Sequence, residues 1–402
     1  MKDMDPRRIW FDPPHVRWGR VVATVLIASA LVGLWVAQRR GLFDEPQNRV
    51  VVAAGAAASG VSPRGERNAV PEAAAMVAAA PPAKAASSVE LVCGLGAVSF
   101  DPGDEKQLEV LTDEANKKLL AHRKRVLPGW IEEMKSSTDE QVQAAGWLLE
   151  ARDVWLGRTE WAQSPESTDA LEELARVAQR SRDPLIYALA VQSCEIYRVR
   201  TTPAACRGLS VEEWAQRDPG NAFPWLFGMG GEGVDAQRRS LYAERALASE
   251  TIRSSWGTSY SILAKAAPRD EAPLDRSVRF RESLSIDSYV SLVRSGVLEH
   301  CKDSELRQGA RRQQCELLAT FMTDKSESLM EAEFGNAIGR RLGWSADRLA
   351  RLDKQRQALS EMTPKDADFA GCDGLARAEA YFADVSKYGE RGALRRRQQA
   401  AR

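Results

Sequence analysis

Seventeen consecutive residues, Val21 to Ala37, contain no charge, proline or asparagine, and Arg20 and Arg39-Arg40 close the two ends. At about 1.5 Å per residue such a helix reaches roughly 26 Å, enough to cross a bilayer core. Trp18 and Trp35 lie near its ends, where indoles favour the headgroup zone. A span this close to the N-terminus commits everything after it to one compartment. The residues that follow, Gln38 to Phe43, offer no small pair for signal cleavage, so an uncleaved signal-anchor is expected rather than a processed leader. Arg7-Arg8 is separated from the apolar run by Asp12, Pro13 and Pro14, which argues against a twin-arginine signal.

Orientation follows the basic residues. Lys2, Arg7, Arg8, Arg17 and Arg20 precede the span, against Arg39, Arg40 and Arg49 after it, which places the N-terminus inside. The expected layout is a cytoplasmic tail at 1–20, a transmembrane helix at 21–38, a tether at 39–88 and a helical domain at 89–402. The tether is rich in Ala, Val, Gly, Pro and Ser, lacks a helical period and has too few large apolar groups to build a core. Ser29, Gly33 and Ala37 form a small-residue stripe through which two spans could approach as a weak homodimer.

All six cysteines lie beyond the tether: Cys93, Cys194, Cys206, Cys301, Cys315 and Cys372. No C-x-x-C occurs and the histidines are only His15, His122 and His300, so no zinc-ligand spacing is present and no metal is expected. An even count confined to one side of the span points to disulfides and an oxidising compartment. Cys194 and Cys206 flank the turn-like Arg200-Thr201-Thr202-Pro203, and Cys301 and Cys315 flank Gln308-Gly309; each pair fits a bridge across a helical hairpin. Cys93 and Cys372 then tie the ends of the domain together. The alternative is six buried free thiols. Together with the charge bias, this places the protein in a bacterial inner membrane with its C-terminal domain in the periplasm.

From Asp101 onward the apolar spacing is almost entirely helical, so the fold class expected is all-α. Helices are predicted from Asp101 to about Val126, from the Thr138–Gln141 capping box through Val154 and Leu156, and then at 168–181, 184–198, 204–217, 222–231, 235–249, 257–267, 274–301, 310–322, 325–342, 345–361 and 374–388. One short strand is expected within the Val-rich 88–100. The arrangement predicted is a set of helical hairpins stacked like an α-solenoid. Asp183-Pro184 and Asp218-Pro219 stand 35 residues apart, each after an amphipathic helix. With Trp225, Tyr242-Ala243 and Ala246-Leu247, the region 168–267 resembles tetratricopeptide repeats, in a degenerate form with a displaced glycine and a shortened helix spacing. GNAIGRRLGW and AYFADVSKYGERGALRR resemble membrane-anchored bacterial proteins, a resemblance that implies no activity.

Chemistry is harder to place. Gly228 to Gly233 matches G-x-G-x-x-G, with Glu250 at a distance suited to a ribose contact, but the preceding NAFPWLF contains Pro224 and no β-branched run. A glycine-rich turn between paired helices is expected, and no cofactor. His300 beside Cys301 suggests an activated thiol, but Cys315 is in range, so a structural bridge is the reading taken. No catalytic residue is singled out by spacing. Of the eleven tryptophans, Trp130, Trp147, Trp155, Trp161, Trp214, Trp225, Trp256 and Trp344 sit at helix-pair positions and are expected to fill the core. The basic tail with Arg391, Arg395, Arg396, Arg397 and Arg402 reads as a solvated helix end. Lys+Arg 56 equals Asp+Glu 56, which gives no electrostatic footprint for nucleic acid. The expectation that follows is a non-enzymatic scaffold for an envelope protein or peptide partner, with a cell-wall-acting enzyme and a purely structural envelope element as the other readings.

Overall fold

The computed structural model describes residues 87–400, apart from 102–103, 158–164, 197–201, 232, 291–293 and 365–369. The tail, the span with its Ser29–Gly33–Ala37 stripe, nearly all of the tether, Trp161 and Arg402 therefore lie outside the described residues, as do the side chains of Val154, Trp155 and Leu156. Among the described residues the fold is mostly helical, with one two-stranded sheet. No helix there is long and apolar enough to cross a membrane.

The 88–100 stretch forms two strands where one was expected: β1 (Ser87–Glu90) and β2 (Ala97–Phe100), antiparallel with Ser88 opposite Ser99. The reason lies in Gly94 and Gly96, whose positive φ of 91° and 81° lets the chain reverse between the strands. Cys93 sits in that turn, buried.

The helices follow in order. The first is α1 (Glu105–Lys135), capped by Asp104 and running past Val126 through Pro128. Then come α2 (Glu140–Gly157), α3 (Pro165–Arg180) and α4 (Pro184–Ile196). Asp139, rather than Thr138, caps α2, its carboxylate accepting from the Gln141 and Val142 amides at 2.9 and 3.3 Å. Asp183 caps α4 in the same way at Leu185, with Pro184 at the first helical position. The predicted helix 204–217 is two pieces, α5 (Ala204–Arg207) and α6 (Val211–Arg217), because Gly208 ends the first and Ser210 caps the second. The chain continues through α7 (Phe223–Gly228), α8 (Ala236–Leu247), α9 (Thr258–Ala266), α10 (Pro273–Val290) and α11 (Arg294–His300). Here too one predicted helix, 274–301, is two. The last four are α12 (Gly309–Lys325), α13 (Leu329–Leu342), α14 (Ala346–Ser360) and α15 (Gly371–Ala400).

Sequential helices pack as pairs: α1 with α2, α2 with α3, α3 with α4, α7 with α8, α12 with α13. Their apolar faces form the main core, from Leu127 and Ile131 through Leu171, Leu174, Ile186 and Phe223 to Leu318 and Met322. A second core joins Tyr260, Phe280, Leu375, Phe382 and Val385 with Cys93. Contacts of long sequence separation close the domain: α10 lies against α1, α9 against α2, and α15 against α9, α10 and β1. The C-terminal stretch is packed rather than merely solvated, since Ala393 and Leu394 are fully buried.

Three disulfides are present: Cys93–Cys372, Cys194–Cys206 and Cys301–Cys315. The first clamps the hairpin turn to the start of α15, and there Glu90 Oε2 accepts from the Cys372 amide at 3.1 Å. The second joins α4 to α5, and the third joins the end of α11 to α12.

Candidate functional site

The residues raised by the sequence fall into place as structure. Gly228 ends α7 and Gly230–Gly231 turn the chain toward α8, with no strand before them; Glu250 lies beside Gly220 instead, its amide donating to the Gly220 carbonyl at 2.8 Å. His300 is buried; its Nε2 is paired with Gln314 Oε1 at 2.9 Å, and Arg311 stands against the ring. Burial and Arg311 together lower its pKa to about 4, so the imidazole is neutral at pH 7. His300, Cys301 and Cys315 lie within metal-ligand distance of one another, but the bridge occupies both sulfurs. Trp214 and Trp344 are buried, and Trp130, Trp147 and Trp225 pack against the main core, as core-filling tryptophans should. Trp225 also meets Tyr242 with ring centroids 5.8 Å apart. Of the tail arginines, Arg391 points inward, Nη1 donating to the Thr323 and Ser326 carbonyls at 2.8 and 3.0 Å, while Arg396 and Arg397 lie over the rings of Tyr388 and Tyr381.

The site that sequence reasoning missed is a polar cleft of about 230 Å3, where three distant segments converge. After α8 the chain is extended through Thr251 and Ile252, bridging to Asn221 on one side and Ser326 on the other, both in parallel. Ile252 donates to the Lys325 carbonyl at 3.2 Å and its own carbonyl accepts from Glu327 at 2.9 Å. The third segment is α15, which is kinked at Gly389 with φ 69°. A Cβ there would stand 2.7 Å from Glu327 Cβ, so the kink needs glycine both for its backbone and for the close approach. Just past the kink Arg391 donates its amide to the Glu327 carbonyl at 2.9 Å, and Glu390 Oε2 accepts from Leu329, capping α13 together with Ser328.

The side chains at this junction are mixed in charge. Glu327 lines the cleft, half-buried, and its carboxylate accepts no hydrogen bond from the described residues. Burial pushes its pKa above the ordinary carboxylate range; Arg253 opposes that shift and Asp218 adds to it. Arg253 is itself paired with Asp218 at 2.8 Å. Trp256 packs edge-on against Phe382 at 6.0 Å, and its Nε1 is buried without a partner among the described residues. Beneath the floor, Glu331 is fully buried and held by serine hydroxyls, and burial raises its pKa as well. The cleft therefore offers both donors and acceptors on a backbone fixed by hydrogen bonds.

A second cluster is built for rigidity. On α10, Glu282 accepts from Arg123 of α1 at 2.7 Å and from Arg152 of α2 at 2.6 Å, with all three largely buried. Burial alone would raise the Glu282 pKa, but Arg152 and Arg123 outweigh it and hold it below the ordinary value. One helical turn earlier Arg279 pairs with Glu271 at 2.8 Å and Glu379 of α15 at 3.1 Å, and Arg276 joins the same Glu379. These pairs link α1, α2, α10 and α15, and Glu271, Arg279 and Glu282 also line a cavity of about 60 Å3 walled by α1, α2, α9 and α10.

Comparison with protein-family models, with curated proteins and with solved structures finds no match for the chain. The described residues form a disulfide-braced, mostly helical domain with a polar cleft at the kink of α15.

Proposed function

We propose that this chain is a single-pass protein of a bacterial inner membrane whose helical domain stands in the periplasm as a binding scaffold. The observation that carries the reading is the set of three disulfides: every cysteine of the sequence is paired, as an oxidising compartment favours. The uncharged stretch 21–38 would supply the anchor, the basic bias ahead of it would keep the N-terminus cytoplasmic, and 39–88 would be the tether. Sequential helix pairs, including the α7–α8 pair with Trp225 against Tyr242, support a repeat-like origin for 168–267. The α1–α10 and α9–α15 contacts depart from an open stack, in which each repeat touches only its neighbours. The surface of such a domain would engage an envelope protein or peptide.

A second reading, an envelope enzyme acting on the cell wall, is favoured by one observation: a cleft that holds Glu327, whose raised pKa suits an acid–base group. The leading reading is tested with protease added to intact spheroplasts. The domain beyond residue 88 is expected to be degraded while a short anchored fragment survives. Full protection of the domain until the membrane is opened would place it in the cytoplasm and overturn the reading.

A further inference from the structure

The cleft at the Gly389 kink has a ligand chemistry of its own. The charged side chains that line it are two of each sign, Arg253 and Lys387 with Glu327 and Glu390, and Arg253 is already neutralised by its pairing with Asp218. A cationic ligand would face two like charges, and so would an anionic one, which leaves a neutral ligand as the best electrostatic match. That ligand must supply hydrogen-bond donors to Glu327, whose carboxylate is unpaired within the described structure, and an acceptor to Lys387, since Arg253 is already paired with Asp218. Trp256 and Tyr388 add aromatic surface to the same walls.

Recognition here must run through side chains. The nearby backbone groups are already used, with Ile252 bonded through its amide and its carbonyl and the Glu327 carbonyl taken by Arg391. An added peptide strand needs a free backbone edge, and this junction leaves none at those positions. A compact volume of about 230 Å3 suits a single ring rather than an extended chain.

We propose that this cleft binds one ring of a neutral, hydroxyl-rich ligand, a saccharide unit, with Glu327 accepting from its hydroxyls and Trp256 and Tyr388 lying against its carbon face. The proposal builds on the reading of an envelope domain, where glycan is the surrounding polymer, but the cleft can be tested apart from location. Full-length protein in detergent is titrated calorimetrically with a trimer of N-acetylglucosamine, with maltotriose and with tetra-alanine. Saturable binding of at least one trisaccharide is expected, weakened about tenfold or more by Glu327→Gln, since a hydrogen bond to a charged acceptor is lost. Lys387→Ala at the rim is expected to weaken it as well, and thermal unfolding of both variants shows that they remain folded. Absence of saturable binding by either sugar overturns the proposal, as does binding that both folded variants leave unchanged. Binding of tetra-alanine that displaces the sugar overturns it in favour of a peptide. Failure of the titration alongside protease-accessible topology would remove the saccharide and leave the scaffold reading standing.

Discussion

Replacing both Cys93 and Cys372 with alanine is expected to cost more stability than removing either of the other bridges. The pair is separated by 279 residues, against 12 and 14 for the others. In the chain-entropy picture a closure of that length restrains the unfolded chain by about 5 kcal/mol, compared with about 3 kcal/mol for a loop of a dozen residues. The native side of the balance points the same way. The bridge joins the β1–β2 turn to the first turn of α15, and those two elements hold little else in common beyond Glu90 at the Cys372 amide and the contacts of β1 on α15. Urea unfolding of the oxidised double variant should show the midpoint falling furthest of the three bridge deletions. Hydrogen exchange should rise first in 87–100 and in the opening turns of α15. If the midpoint matched that of the Cys194–Cys206 deletion, the bridge would be no more than a local staple.

Glu282→Ala is the second substitution with a large expected effect. It strips the shared partner from Arg123 and Arg152 and leaves two cations in a site where Glu282 and Arg152 are each about 5% exposed. Loss of one partner from a buried ion pair costs about 3 to 5 kcal/mol, because the remaining charge keeps its desolvation penalty. Arg123 retains Asp153 at 2.7 Å, so the unpaired burden falls mostly on Arg152. Adding Arg152→Met to Glu282→Ala should therefore recover part of the loss, and a double-mutant cycle in urea reads the coupling directly. The pH dependence has a definite sign. The folded pKa of Glu282 is depressed, so its contribution is complete above the ordinary carboxylate range and disappears as pH falls through the lower folded value. Wild type and Glu282→Ala should differ most at neutral pH and converge in acid.

The parts of this fold that depend on short-range pattern were legible from the sequence. The 3.6-residue spacing fixed the helical class, and Asp183-Pro184 marked the start of α4 as its capping chemistry requires. The cysteine partners could be read because two pairs straddle turns, which left Cys93 and Cys372 for each other. Errors arose where a single residue outweighed the periodicity. Gly94 and Gly96 turned one expected strand into a hairpin, Gly208 split 204–217, and Asp139 took the capping role expected of Thr138. Helix α13 begins at Leu329 rather than at 325 because Ser326 is engaged in the bridge to Ile252 and Ser328 in the cap.

The cleft was beyond such reading. Its walls come from residues near 253, 327 and 388, and what joins them is a set of backbone hydrogen bonds of long sequence separation, which local periodicity does not report. Gly389 falls just past the predicted helix 374–388, and only the structure shows that the helix continues through it as a kink. The Arg–Glu clusters on α10 were equally hidden. Arg276, Arg279 and Glu282 read as an ordinary charged helix face until α1, α2 and α15 cover it.

Three disulfides close the domain, and the proposed reading sets it on the oxidising side of a membrane. The most direct test is peptide mapping by mass spectrometry of protein taken from its native membranes, alkylated at harvest and digested without reduction. Three linked peptide pairs are expected, joining Cys93 to Cys372, Cys194 to Cys206 and Cys301 to Cys315, with no alkylated cysteine. Six alkylated cysteines and no linked pair would contradict that reading.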